Sequence, residues 1–98
     1  MNKFICDGHE YSVSDHSIGS RDRFEVRNNY GTHVATLERD ITDEYWYALL
    51  PSTDLTKNDE VIVSIHENAI ADNLLEQWAV QSYVAWAYDN DTVEDHQS

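Results

Sequence analysis

A single cysteine, Cys6, stands in the 98-residue chain, so no intrachain disulfide can brace the fold. Between Ile5 and Asp7 at the end of a strand-like run, it reads as a small buried apolar residue rather than a reactive thiol. Glycine is scarce: Gly8, Gly19 and Gly31 are far apart and cannot make a glycine-rich phosphate loop. No apolar run approaches the roughly 18 residues of a membrane span. The first residues, Met1-Asn2-Lys3-Phe4-Ile5-Cys6-Asp7, lack the apolar stretch of a secretory signal. The expectation is a cytoplasmic protein, acting in the host cytoplasm if the source is viral.

Positive charge is the scarcest commodity. Six cations (Lys3, Arg21, Arg23, Arg27, Arg39, Lys57) face 19 acids, for a net charge of −13. Typical magnitudes for a small domain are about 2–8, so solubility alone is a thin account of the excess. The imbalance also has a location. Residues 58–98 contain no Lys or Arg and carry Asp59, Glu60, Glu67, Asp72, Glu76, Asp89, Asp91, Glu94 and Asp95. Affinity for a phosphate backbone or an anionic membrane comes from clustered Lys and Arg, so direct binding to nucleic acid or membrane is disfavoured.

What the chain does have is enough apolar material for a core. It is 41% apolar and 11% aromatic, unlike a disordered acidic tail. One domain over 1–98 is expected, with about 90–98 as a frayed tail. Lys3–Cys6 is strand-like and runs into Asp7-Gly8, a dipeptide favoured in two-residue hairpin turns. Glu10–Ser14 alternates with Tyr11 and Val13 on one face. His16–Ser20 has loop composition. Arg23–Arg27 alternates strictly, Phe24 and Val26 opposing Arg23, Glu25 and Arg27, as in a half-buried antiparallel strand. Asn28-Asn29-Tyr30-Gly31 is turn material, and His33–Arg39 returns as the partner strand. After the polar Asp40–Glu44, the aromatic-rich Glu44–Leu50 forms a strand that Pro51 ends, with Tyr45 and Tyr47 on one face and Trp46 on the other. Ser52–Asp59 reads as a loop. Val61–Ile65, β-branched nearly throughout, reads as a strand buried on both faces.

From about Asn68 the period changes. Ile70, Leu74, Trp78, Ala85 and Tyr88 recur at helical spacing, which predicts a stripe packed on the sheet. Asn68 as N-cap competes with a capping box of Ser64 and Glu67 for the start, and Asp89-Asn90-Asp91 ends the helix. The predicted fold is α+β: an antiparallel sheet of four to six short strands with one long C-terminal helix packed on one face.

Motifs for chemistry are sparse. His9, His16, His33, His66 and His96 match no zinc spacing; a site of His9, His16, Asp7 and Asp15 is conceivable, but surface histidines are the favoured reading. Asp89–Asp95 resembles the start of a calcium loop but places Val93 and Glu94 where an oxygen ligand and a glycine are needed. No nucleophile elbow or catalytic triad order is recognisable, and among 19 acids adjacent pairs arise by chance. The expectation is a non-enzymatic protein with no metal and no cofactor. Binding residues are sought instead among the acids Asp59, Glu60, Glu67, Asp72, Glu76, Asp89 and Asp91. Asp72 and Glu76 sit four apart on one predicted helix face, about 6 Å along the axis. Trp78, Tyr83, Trp86 and Tyr88 are too widely spread around the axis for all to be buried, which nominates Tyr83 or Trp86 as an exposed anchor.

In size, acidity and strand-plus-helix build, the chain resembles phage and plasmid inhibitors that mimic DNA, namely anti-CRISPR, anti-restriction and uracil-DNA glycosylase inhibitor proteins. That resemblance of character implies a strategy: carboxylates occupying the groove of a basic nucleic-acid-binding protein or nuclease complex, steered there electrostatically. An antitoxin or immunity protein neutralising a nuclease would use the same electrostatics. An accessory or structural protein, acidic only for solubility, would have no basic partner.

Overall fold

The hydrophobic alternation resolves into six strands: β1 (Asn2–Cys6), β2 (His9–Asp15), β3 (Arg21–Asn28), β4 (His33–Asp40), β5 (Tyr45–Leu50) and β6 (Glu60–His66). They form one antiparallel sheet in chain order, a pure meander. The computed structural model describes residues 2–51 and 60–90. After β6 come two 3₁₀ turns, Glu67–Ala69 and Asp72–Leu74, and then one helix, α1 (Leu75–Asp89). The α+β class, the strand count at the top of the expected range and the C-terminal helix on one face are as the sequence indicates. The Ser52–Asp59 segment and the tail beyond Asn90 lie outside the described residues. Among the described residues, no helix is long and apolar enough to cross a membrane.

Local chemistry sets the first two hairpins. Cys6 pairs with His9 across Asp7-Gly8, and both turn residues hold positive φ, 56° and 83°. A two-residue turn with both central φ positive twists in the same sense as the strands it joins, and aspartate and glycine tolerate that region best. At the β3–β4 turn, Asn28 Oδ1 accepts hydrogen bonds from the Tyr30 and Thr32 amides, each at 3.0 Å. Gly31, at φ 82°, lets the chain reverse there.

One face of the sheet is covered by α1. Tyr11, Val13, Val26, Ala35, Leu37 and Trp46 point into the core and meet Leu75, Ala79, Val80, Tyr83, Val84 and Ala87 of the helix. Tyr83 stands edge-on to Tyr11, ring centroids 6.0 Å apart. Small residues on both layers (Ala35 and Ala48 in the sheet, Ala79 and Ala87 in the helix) are buried, which allows the layers to approach closely.

Three expectations are corrected. First, β6 is not buried on both faces: it is the edge of the meander, and Val61 is 53% exposed. β-branched composition reports strand preference, which an edge strand shares with a central one. Second, α1 begins at Leu75, and neither Asn68 nor the Ser64–Glu67 box starts it. His66 Nδ1 instead accepts from the Asn68 amide at 3.1 Å and caps a short 3₁₀ turn, after which Ile70 and Ala71 are extended. Ile70 packs against the core in that extended conformation, so the chain makes an anchored step before the helix. Third, the buried stripe of α1 is not the predicted one. Leu74 and Tyr88 are 46% and 52% exposed, Ala85 is exposed, and Ile70 and Trp78 are half-buried. Of the predicted set, Ile70 and Trp78 do pack against the core, whereas the fully buried stripe is Leu75, Ala79, Val80, Tyr83, Val84 and Ala87.

Leu37 sits at the centre of this packing with no exposed surface. Leu37→Ala leaves a cavity between sheet and helix and is expected to lower unfolding free energy by about 2–5 kcal/mol, read by urea denaturation followed by circular dichroism.

Candidate functional site

The face of the sheet opposite α1 has no helix over it, and long charged side chains cover it instead. Register places Arg23 opposite Glu38 and Arg21 opposite Asp40. Glu38 Oε1 accepts from Arg21 Nη1 at 3.2 Å and from Arg23 Nη1 at 3.1 Å. Arg23 also faces Glu25, whose Oε1 accepts from Arg27 Nη2 at 3.0 Å. The result is a ladder of alternating charge across β3 and β4, laid over the fully buried Thr36.

The remaining described cations are tied in as well. Lys3 pairs with Glu10. Arg39, on the helix side, lies over the Trp46 ring at 4.8 Å and binds both Asp22 and Glu67. Asp43, Glu60, Asp72, Glu76 and Asp89 have no Lys or Arg in ion-pair reach among the described residues, and Glu44 has only His66, at 3.7 Å.

The structure separates the predicted acids. Glu60 opens the edge strand β6. Glu67 is held by Arg39. Asp72 lies in a 3₁₀ turn and Glu76 in the first turn of α1, so the two do not share one helix face. Glu76 Oε1 accepts from Asn2 Nδ2 at 2.7 Å. Asp89 is the last residue of α1. Asp59 and Asp91 lie outside the described residues. Of the two nominated aromatics, Tyr83 is 6% exposed, because its position falls at the centre of the buried stripe, and Trp86 is half-buried; the exposed helix aromatic is Tyr88.

Acids do gather at one place the sequence reading passed over, the β4–β5 turn. Asp40, Thr42, Asp43, Glu44 and Tyr45 line an open groove there. The Glu67 amide donates to the Glu44 carbonyl at 2.8 Å and brings the β6–α1 connection alongside. The Thr42 amide and hydroxyl both donate to Asp40 Oδ1, and these bonds hold the Asp40 carboxyl below the usual aspartate range. Asp43 Oδ1 accepts from the Tyr45 amide at 3.0 Å, and a hydrogen bond with Asp43 pushes the Tyr47 phenol up. Exposed Ile41 and Tyr45 stand among these carboxylates, and Tyr45 meets the His66 ring edge-on at 5.1 Å. In sequence, Asp40–Glu44 is an ordinary polar turn, and only the sheet brings Glu67 beside it.

Two other groups bear on chemistry. Burial, and after it the neighbouring Asp7 carboxylate, push the Cys6 thiol up, so it is held away from the nucleophilic thiolate. Burial lowers the His33 pKa, although Glu25 opposes the shift; His33 Nε2 lies 2.8 Å from the Thr36 hydroxyl. Burial also works against ionisation of Glu25, but His33, His16, Arg27 and Arg23 outweigh it and hold that carboxyl below its ordinary value. No group of histidine, cysteine and carboxylate side chains among the described residues is arranged to hold a metal ion. No family model matches the chain, and no curated protein or solved structure is significantly similar to it.

A histidine whose folded pKa is depressed is protonated more readily in the unfolded chain. Its contribution to stability is therefore present at high pH and lost as pH falls from the ordinary value of 6.5 toward the lower folded value. Unfolding free energies of the wild type and His33→Gln, measured by urea denaturation from pH 7.5 to 5.5, are expected to show the wild type losing stability relative to the variant as pH drops.

Proposed function

We propose that this chain is an acidic protein inhibitor that binds a basic nucleic-acid-binding protein and blocks its DNA or RNA site, in its most specific form a DNA mimic of the anti-CRISPR type. One observation carries the reading. Every described cation is engaged in an ion pair within the fold, while a set of carboxylates is left without cationic neighbours. Among the described residues the surface thus offers negative charge with no Lys or Arg free to compete for it. A field of this sign steers association with a basic groove and repels nucleic acid itself.

The β4–β5 turn supplies an acidic part of the surface: Asp43 has no described cation in reach, Glu44 has only His66, and Asp40 lies 4.0 Å from Arg21 Nη2. Asp40 and Asp43 are fixed in place by turn hydrogen bonds, and the neighbouring Tyr45 and Ile41 provide apolar contact area. Ordered carboxylates lose less conformational freedom on binding than flexible ones, so more of their attraction appears as affinity. Binding rather than catalysis is the proposed role. The grooves on the described surface are open, and burial pushes the Cys6 thiol up, away from the nucleophilic thiolate.

The test is capture of basic nucleic-acid-binding proteins from host lysate at low and high salt, followed by competition with duplex DNA and RNA. A partner is expected to bind at low salt, to release at high salt and to lose its nucleic-acid binding while occupied. Replacing Asp43 and Glu44 together by Lys is expected to weaken that partner about tenfold or more, with an unchanged circular dichroism spectrum. A partner that stays bound at high salt, or that holds DNA and this protein at once, refutes mimicry.

A further inference from the structure

The uncovered face of the sheet is laddered with charge over β3 and β4 and changes character over β5 and β6. Tyr47 is paired with Glu38 and shares its face, and Leu49, two residues on, follows it there. On β6 the register skips Ile62, and this bulge brings Val61 opposite Leu49. Leu49 is 8% exposed and Val61 53%, so the pair makes an apolar floor that is open on its outer side. A groove of about 260 Å³ lies over this floor, lined also by Tyr47, Asp43, Asp40, Glu38, Arg21 and Arg39. Asp40 and Asp43 line the open groove of the β4–β5 turn as well, so the two grooves meet at these carboxylates.

The charges around the groove decide its occupant. Both arginines are already committed. Arg39 lies over Trp46 and binds Asp22 and Glu67, and Arg21 serves Glu38 and Asp40. Asp43 has no described Lys or Arg in ion-pair reach; it accepts from the Tyr45 amide and the Tyr47 phenol, which orient its carboxylate without neutralising it. The Asp43 amide donates to the Asp40 carbonyl at 2.8 Å, which fixes the two acids relative to each other. An anion entering here meets three carboxylates and no free cation. A wholly apolar group strips water from Asp43 and returns nothing to it. A long cationic side chain satisfies both parts, with its methylene stem on the floor and its charged head at the acids. Guanidinium suits the site better than ammonium, because its plane stacks on an aromatic ring and its fork reaches two carboxylates. A second copy cannot supply it, since all four arginines of the chain are ion-paired within their own fold. We infer that this groove receives an arginine side chain of the protein's target, its stem on Leu49 and Val61 and its guanidinium against Tyr47, Asp40 and Asp43. The inference rests on the inhibitor reading and deepens it: the captured residue is of the kind that binds phosphate in a nucleic-acid site.

The test titrates three capped tripeptides, with Arg, Lys or citrulline between two glycines, onto the isotope-labelled full chain at low salt. Binding is read from NMR shifts. The Arg peptide is expected to shift the Tyr47, Leu49 and Val61 signals. It is expected to bind about threefold or more tighter than the Lys peptide and about tenfold or more tighter than the neutral citrulline peptide. Asp43→Asn keeps a side-chain oxygen for the Tyr45 amide but removes the charge, and is expected to weaken the Arg peptide about fivefold or more. Val61→Ser alters an exposed position without changing charge, and is expected to weaken it about twofold or more. Unchanged circular dichroism checks that both variants fold. Equal binding of the Arg and Lys peptides, shifts confined to surface away from the groove, or an affinity that neither variant lowers overturns the groove and leaves electrostatic inhibition standing. Citrulline binding as tight as Arg overturns it too, because the groove then selects shape rather than charge. Absence of binding by the Arg peptide also overturns it, while the inhibitor reading stands or falls separately, on the lysate capture at low and high salt.

Discussion

The packing of one helix against one face of a six-stranded sheet is the constraint from which the rest of this structure follows. A sheet of this width has two faces to cover, and α1 covers one. The other face must be wetted without exposing its own buried centre, where Thr36 has no accessible surface. Long side chains do this best when they lie flat, with apolar stems over the sheet and charged ends turned to partners. Arg21, Arg23 and Arg27 are used in this way, and they are held down by Glu25 and Glu38. Exposed ion pairs stabilise little one at a time, but a shared carboxylate orders two arginines together and so costs less conformational freedom per contact.

This arrangement has an electrostatic consequence. A chain with only six cations commits three of them to the open face of its sheet and one more, Arg39, to the Trp46 side. Asp43 of the β4–β5 turn, Glu60, Asp72, Glu76 and Asp89 are then left without a Lys or Arg counterion from the described part of the protein, whereas Asp40 and Glu67 have Arg21 and Arg39. Net charge is thus an incomplete description. The fold sorts the charge, placing a nearly balanced ladder on one face and an uncompensated remainder at turns and helix termini. The position of the remainder is dictated by where strands end, because turns are where acids can both hydrogen-bond backbone amides and stay hydrated, as Asp15, Asp40 and Asp43 do.

Much of the fold is legible in the amino-acid order because its determinants are local. Asp7-Gly8 defines a turn by backbone preference alone, Asn28 and Gly31 define another, and the alternation from Arg23 to Arg27 assigns Phe24 and Val26 to the inside without knowledge of a partner. The end of α1 at Asp89 was legible, but its start was not, because His66 caps a 3₁₀ turn with a ring nitrogen, which no capping pattern anticipates, and Ile70 is anchored while extended. The exposure of β6 depends on strand order, which composition does not encode. The candidate site was legible only as a bulk excess of acid. The sequence pattern favoured the acids after Lys57, yet Glu67 is neutralised by an arginine 28 residues earlier, and the densest group forms at Asp40–Glu44, where the cations nearby in sequence disguise it.

The misassigned helical stripe is informative for the same reason. Periodicity in a sequence reports that a face is apolar, not which body it packs on. The inner face of α1 sets the small Ala79 and Ala87 among Leu75, Val80, Tyr83 and Val84, and the small residues let the helix settle onto the sheet. A stripe drawn through Ile70 and Leu74 counts them as helical, although the helix starts only at Leu75. Close sheet packing selects the inner face, because backbone approach is set by the smallest residues at the contact. Leu74 and Tyr88 stay exposed, while Trp78 and Trp86 reach the core from its margin. The requirement for close approach therefore decides not only what fills the core but also which apolar residues remain outside it.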